Sequence, residues 1–99
     1  MSTDTKMVLR QIGAKIAYFR TLSGISQKDL ADRIKTTQST ISKVESGNYN
    51  DNLSIAMLTE IADALEVDLA LLLEFNVYEK AMWEKKVGNE KRGKNNVLL

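Results

Sequence analysis

The sequence predicts an all-α fold of five short helices, on three observations. Apolar residues recur at three- and four-residue steps along most of the chain, while alternating strand patterns are missing. Good helix-capping residues stand just before four of the apolar runs. The chain has no proline and five glycines, so little interrupts a helix.

Leu9, Ile12, Ile16 and Phe19 form one apolar stripe on a first helix of about 6–22, which Gly24 ends. Ser26 caps the second helix, with Asp29 completing a capping box and Ile25 stapled to Leu30. Thr37 caps the third, with Ile41 at the staple position. Ser54 caps the fourth, with Leu53 against Leu58, and Asp68 caps the fifth, with Val67 against Leu72. The second, third and fourth helices should run about eight, nine and twelve residues. Helices this short are marginal alone and must pack on one another. The expected inward residues are Ile12, Ile16, Phe19, Leu30, Ala31, Ile34, Ile41, Val44, Leu58, Ile61, Ala62, Leu65, Leu69 and Leu72.

Beyond Glu74 the pattern loosens. Phe75, Tyr78, Met82 and Val87, with Trp83 beside them, form a sixth amphipathic helix or extend the fifth. The stretch from Gly88 is polar and charged and reads as a mobile basic tail. The expected organisation is therefore a domain over residues 1–74, a helical extension over 75–87 and a tail over 88–99.

The 99 residues suffice for one domain with one core, and 43% hydrophobic with 27% charged residues is an ordinary soluble composition. The chain has no cysteine and no histidine. Disulfides and thiolate metal sites are excluded, and the commonest zinc ligand and general base is missing. No metal or other cofactor is expected. No apolar run approaches the ~18 residues of a membrane span and no signal-like block opens the sequence, so a cytoplasmic location is expected. Net charge is +1, but it is unevenly spread. Residues 1–50 carry eight Lys/Arg and four Asp/Glu; residues 51–79 carry no Lys/Arg and seven acids; residues 80–99 carry six basic and two acidic residues. Such asymmetry suits a first half that faces a polyanion and an acidic middle that does not.

The informative stretch is residues 26–47, where two short capped helices are joined by a turn of about three residues, the helix-turn-helix arrangement. Ala31 lies where the two axes cross, and Ile34, Ile41 and Val44 fill the angle between them. Gln38, Ser39, Ser42 and Lys43 remain on the outer face of the third helix. A surface helix facing only water favours Glu/Lys pairs, whereas this one carries four Ser/Thr in nine residues at a cost in propensity. Base edges in the major groove reward such groups: Gln pairs with adenine, Lys reaches guanine, and Ser bonds either way.

From Ile12 to Leu72 the sequence resembles the phage-repressor and Cro-like helix-turn-helix regulators, the XRE type. The residues that carry the resemblance are Ile12-Gly13, Ile16, Arg20, residues 24–27, Leu30-Ala31, residues 37–47, Leu53 and residues 65–67. It implies the five-helix, lambda-repressor-like domain and a DNA-binding transcriptional regulator, a repressor acting as a homodimer on a palindromic operator. Gln38, Ser39 and Lys43 then occupy base-reading positions, with Ser42 near them. Gln27, Thr37, Asn48 and Tyr49 occupy positions that meet the DNA backbone. Arg20 and Glu45 match an ion pair that is structural in relatives. Two departures stand out. Lys35 replaces the usual glycine of the turn, and the run from Asn48 to Asn52 lacks the usual proline.

The same fold also serves antitoxins, with a toxin held by the C-terminal segment, and restriction-modification controllers; neighbouring genes discriminate these. Leu69, Leu71, Leu72 and Leu73 with residues 75–83 supply more apolar surface than a five-helix core needs, and are the expected dimer face. An enzyme is not expected, because phosphate-cradling glycines and a carboxylate cluster are missing alongside His and Cys. RNA binding is disfavoured by the lack of aromatic residues on the Gln-bearing face.

Overall fold

The computed structural model describes residues 3–49, 53–75, 78, 79, 81, 82, 84 and 85. Five α-helices follow in order: α1 (Thr3–Leu22), α2 (Gln27–Arg33), α3 (Gln38–Ser46), α4 (Ile55–Leu65) and α5 (Leu69–Leu73). There is no strand among the described residues. α3 packs on α1 and α2, while α4 packs on α2 and α5 and α1 reaches back to α5. The core is Ile12, Ile16, Leu30, Ala31, Ile41, Val44, Leu58, Ile61, Ala62, Leu65 and Leu72, drawn from all five helices.

Side chains cap three helix starts as the sequence predicts. Ser26 Oγ accepts from Asp29 N at 3.0 Å while Asp29 Oδ2 accepts from Ser26 N at 3.0 Å. Hydrogen bonding to Ser26, first to its backbone N–H and then to its side chain, holds the Asp29 carboxyl below its ordinary pKa. Thr37 Oγ1 accepts from Thr40 N and Ser54 Oγ from Met57 N. Ile25, Leu53 and Val67 pack against the core to which their staple partners Leu30, Leu58 and Leu72 belong.

Four helices end alike. After α1, α2, α3 and α4 a left-handed residue stands at Gly24, Lys35, Gly47 and Glu66, with φ of 75°, 59°, 77° and 59°. At each one, its own backbone N–H and that of the following residue turn back onto the last carbonyls. After α2, for example, Lys35 N donates to Asp32 O and Thr36 N to Ala31 O. Two of the four positions lack glycine, so Lys35 and Glu66 each carry about 1–2 kcal/mol of backbone strain. Relief of that strain exceeds the extra chain entropy of glycine, about 0.5–1 kcal/mol. Lys35→Gly should therefore raise stability by roughly 0.5–1 kcal/mol, seen as a rise of several degrees in the melting midpoint. A lower midpoint would mean that the turn is not left-handed at Lys35.

Several expectations are corrected. α1 begins at Thr3, before the expected residue 6, because Thr3-Asp4-Thr5 carries no apolar period to reveal a helix. α2 and α4 are each one residue shorter than expected, at 7 and 11 residues. Asp68 precedes α5 but its carboxylate makes no capping bond. The Leu71 N–H it would accept is taken by Asp68's own carbonyl at 2.9 Å. Phe19, Ile34 and Leu69 are half-buried at the margin of the core rather than inside it. Leu72 is fully buried in its own core, leaving Leu71 and Leu73 as the exposed leucines of the expected dimer face. Extended backbone at Glu74 ends α5, so the helical residues 78, 79, 81, 82, 84 and 85 do not extend it. Trp83, Val87, residues 50–52 and the tail of 88–99 lie outside the described residues.

Gly13 shows how tightly α3 is seated. A Cβ at this mid-helix position would overlap the backbone carbonyl oxygens of Val44 and Glu45. α1 and α3 therefore touch backbone to backbone.

Candidate nucleic-acid interface

The alternation of apolar and polar residues in α3 leaves it two-faced. Ile41 and Val44 are buried against α1 and α2, while Gln38, Ser39, Ser42 and Lys43 are exposed along the opposite face. The side chains of these four make no hydrogen bond or ion pair among the described residues, so their donors and acceptors are available. Thr37 is engaged: its Oγ1 caps Thr40 N at 3.1 Å and lies 3.0 Å from Thr40 Oγ1. Asn48, just past the helix, is exposed, while Tyr49 is half-buried with its ring against the core.

The pose of α3 is set by a polar cluster that joins three helices. Arg20 of α1 donates Nε to Glu45 Oε2 at 2.7 Å and a second bond to Oε1 at 3.2 Å. Its remaining Nη donates to the Ile25 carbonyl at 2.8 Å, at the turn before α2. Gln27 Nε2, at the start of α2, donates to Glu45 Oε1 at 3.0 Å. The hydrogen bonds that Arg20 donates to Glu45 chiefly raise the Arg20 pKa; burial lowers it, and the Glu45 charge adds a smaller rise. The two side chains are 17% and 7% exposed, so solvent screens the pair little. One carboxylate thus fixes the angles of α1, α2 and α3 to one another. At the far end of α2, Arg33 Nη1 caps the Ala64 carbonyl of α4 at 3.0 Å.

The bond from the Gln27 side chain to Glu45 was not visible in the sequence, because the two residues stand 18 apart. It engages the Gln27 side chain within the fold. Charge is also partitioned in space. Glu60, Asp63, Glu66, Asp68 and Glu74 are exposed on α4, α5 and their ends, away from α3. Among the described residues no group of three or more His, Cys, Asp or Glu could hold a metal ion, and no helix is long and apolar enough to cross a membrane.

The helix-turn-helix family model matches residues 16–72, more than half of the chain. The chain belongs to that family. It is a DNA-binding regulator of the XRE type, and residues 16–72 include α2, α3 and the whole polar cluster. Among solved structures it is similar to the restriction-modification controller protein C.AhdI from Aeromonas hydrophila, at 29% identity and a TM-score of 0.64 over 70% of this chain and 97% of that one. A T36A mutant of the controller protein C.Esp1396I is similar at 28% identity and a TM-score of 0.56, over 81% of this chain and 95% of that one. The clp gene regulator ClgR from Corynebacterium glutamicum shares the fold at 20% identity and a TM-score of 0.66, over 86% of this chain and 85% of that one. A comparison with curated protein sequences gives no match.

Proposed function

We propose that the regulator inserts α3 into the major groove and reads base edges with Gln38, Ser39, Ser42 and Lys43. The observation that carries this is the row of four exposed side chains with unused hydrogen-bonding capacity, held by a rigid cluster behind them. Gln27 and Thr37 at the two helix starts, with Asn48 and Tyr49 after α3, meet the phosphates on either side. Backbone contacts of this kind fix register, and base contacts supply sequence preference. The protein acts as a regulator in the cytoplasm and not as an enzyme, a reading that its membership of the helix-turn-helix family supports.

One such module touches few bases, and a two-fold pair reads two half-sites about one helical turn apart. Leu71 and Leu73 are each 40% exposed, and Tyr78 and Met82 are 72% and 56% exposed. These residues form the dimer face, and sedimentation at tens of micromolar should give a dimer; a monomer there removes this claim. The likeness to two restriction-modification controllers favours a controller role over that of an antitoxin. Neighbouring methylase and endonuclease genes would bear this out; a neighbouring toxin gene would favour the other. Selection of bound duplexes from a random pool tests the reading as a whole. A palindrome with two half-sites about 10 base pairs apart is expected, and a pool with no enriched sequence contradicts it.

A further inference from the structure

The turn between α2 and α3 is strained in a way that nothing inside the fold explains. Lys35 stands there at φ 59°, where glycine is unstrained and asparagine less strained than lysine. Its surroundings enforce the conformation. Lys35 N donates to Asp32 O at 3.3 Å, Thr36 N donates to Ala31 O at 2.9 Å, and Thr37 caps α3 directly after. The Lys35 side chain gives no compensating bond: it is exposed and makes no hydrogen bond or ion pair among the described residues. Strain held in place by its surroundings, on a side chain the fold does not use, points to a role outside the fold.

Charge indicates what that role is. Between residues 33 and 44 the chain carries Arg33, Lys35 and Lys43 and no Asp or Glu. Nearby cations are engaged: Arg20 is held by Glu45, Lys28 by Asp32 and Arg33 by the Ala64 carbonyl. Lys35 and Lys43 are left without such a partner among the described residues, and Lys43 lies on the outer face of α3. The side chains given above to the phosphates, Gln27, Thr37, Asn48 and Tyr49, are all uncharged. Duplex affinity, however, rests largely on cations that displace counterions. We propose that Lys35 is the cationic phosphate contact of this regulator, resting on the insertion of α3 proposed above. Lys35 stands three positions before Gln38, the first residue of α3, so its ammonium meets the phosphate row beside the point where the helix enters the groove. A point charge on a flexible stem suits a phosphate, which demands no fixed orientation. The residue that strains the turn is thus the one that adds affinity independent of sequence.

Equilibrium binding of the full chain to the selected site and to an unrelated duplex, over a series of salt concentrations, tests this with Lys35→Asn, Lys35→Gly and Lys35→Arg. Lys35→Asn and Lys35→Gly should each weaken binding to both duplexes alike, by about threefold to tenfold per module at about 0.15 M salt. Each should also reduce the slope of log affinity against log salt by about 0.9 per module. Lys35→Gly should do so while its melting midpoint rises, a combination that loss of the fold cannot produce. Lys35→Arg keeps the charge and should keep the wild-type slope. A wild-type slope in both Lys35→Asn and Lys35→Gly overturns the proposal. A loss confined to the selected site also overturns it, since the side chain then reads a base, as does a slope in Lys35→Arg reduced as far as in Lys35→Asn. Those outcomes leave base reading by α3 untouched, because Gln38→Ala tests that separately. Wild type that binds neither duplex overturns both readings together.

Discussion

Glu45→Ala should lower the stability of the domain by about 3–5 kcal/mol and abolish DNA binding at temperatures where the wild type is fully folded. The carboxylate accepts from Arg20 Nε, Arg20 Nη2 and Gln27 Nε2, so its removal strands a largely buried guanidinium. Small domains have a total stability of about 5–15 kcal/mol, so this loss is roughly a fifth or more of what holds the fold. Denaturant unfolding followed by circular dichroism measures it directly. A paired change, Arg20→Met with Glu45→Leu, removes both charges together and should recover much of the loss. If Glu45→Ala instead unfolds at the wild-type midpoint yet fails on DNA, the carboxylate acts on the nucleic acid and not on the fold.

The second large effect runs against helix propensity. Glycine to alanine inside a helix ordinarily gains about 1 kcal/mol. At Gly13 the new methyl group would overlap the backbone carbonyl oxygens of Val44 and Glu45, which cannot swing aside as a side chain can. Overpacking costs about 1–3 kcal/mol or more, and contact with backbone places this case at the upper end. Gly13→Ala should therefore destabilise by about 2 kcal/mol and push α3 outward, weakening DNA binding beyond the stability loss. A variant as stable as the wild type would show that α1 and α3 are not in backbone contact.

What the sequence disclosed and what it withheld divide along physical lines. Ser26, Thr37 and Ser54 were legible as caps because each acts within one turn of its own helix. The core stripe was legible because burial imposes a helical period, and every buried residue of the main cluster lay on it. Gly13 was read only as part of a resemblance; a lone glycine inside a helix costs propensity and is itself a sign of close approach. Its partners stand some 30 positions away, and periodicity cannot name them. Gln11 escaped because a polar residue beside Ile12 reads as surface, yet it is 2% exposed. The left-handed Glu66 escaped because no sequence rule favours glutamate there. Arg20 and Glu45 stand 25 residues apart, so only the family resemblance could pair them. The outer face of α3 was read from residue chemistry, and its exposure is local geometry that follows from burying Ile41 and Val44.

Affinity of wild type and Gln38→Ala should be compared on the selected site and on unrelated duplex at one salt concentration. A loss of about 1–3 kcal/mol is expected on the selected site, roughly fivefold to 150-fold, with little change on unrelated DNA. Equal losses on both would contradict base reading by Gln38, because an amide that only holds the backbone weakens every sequence alike.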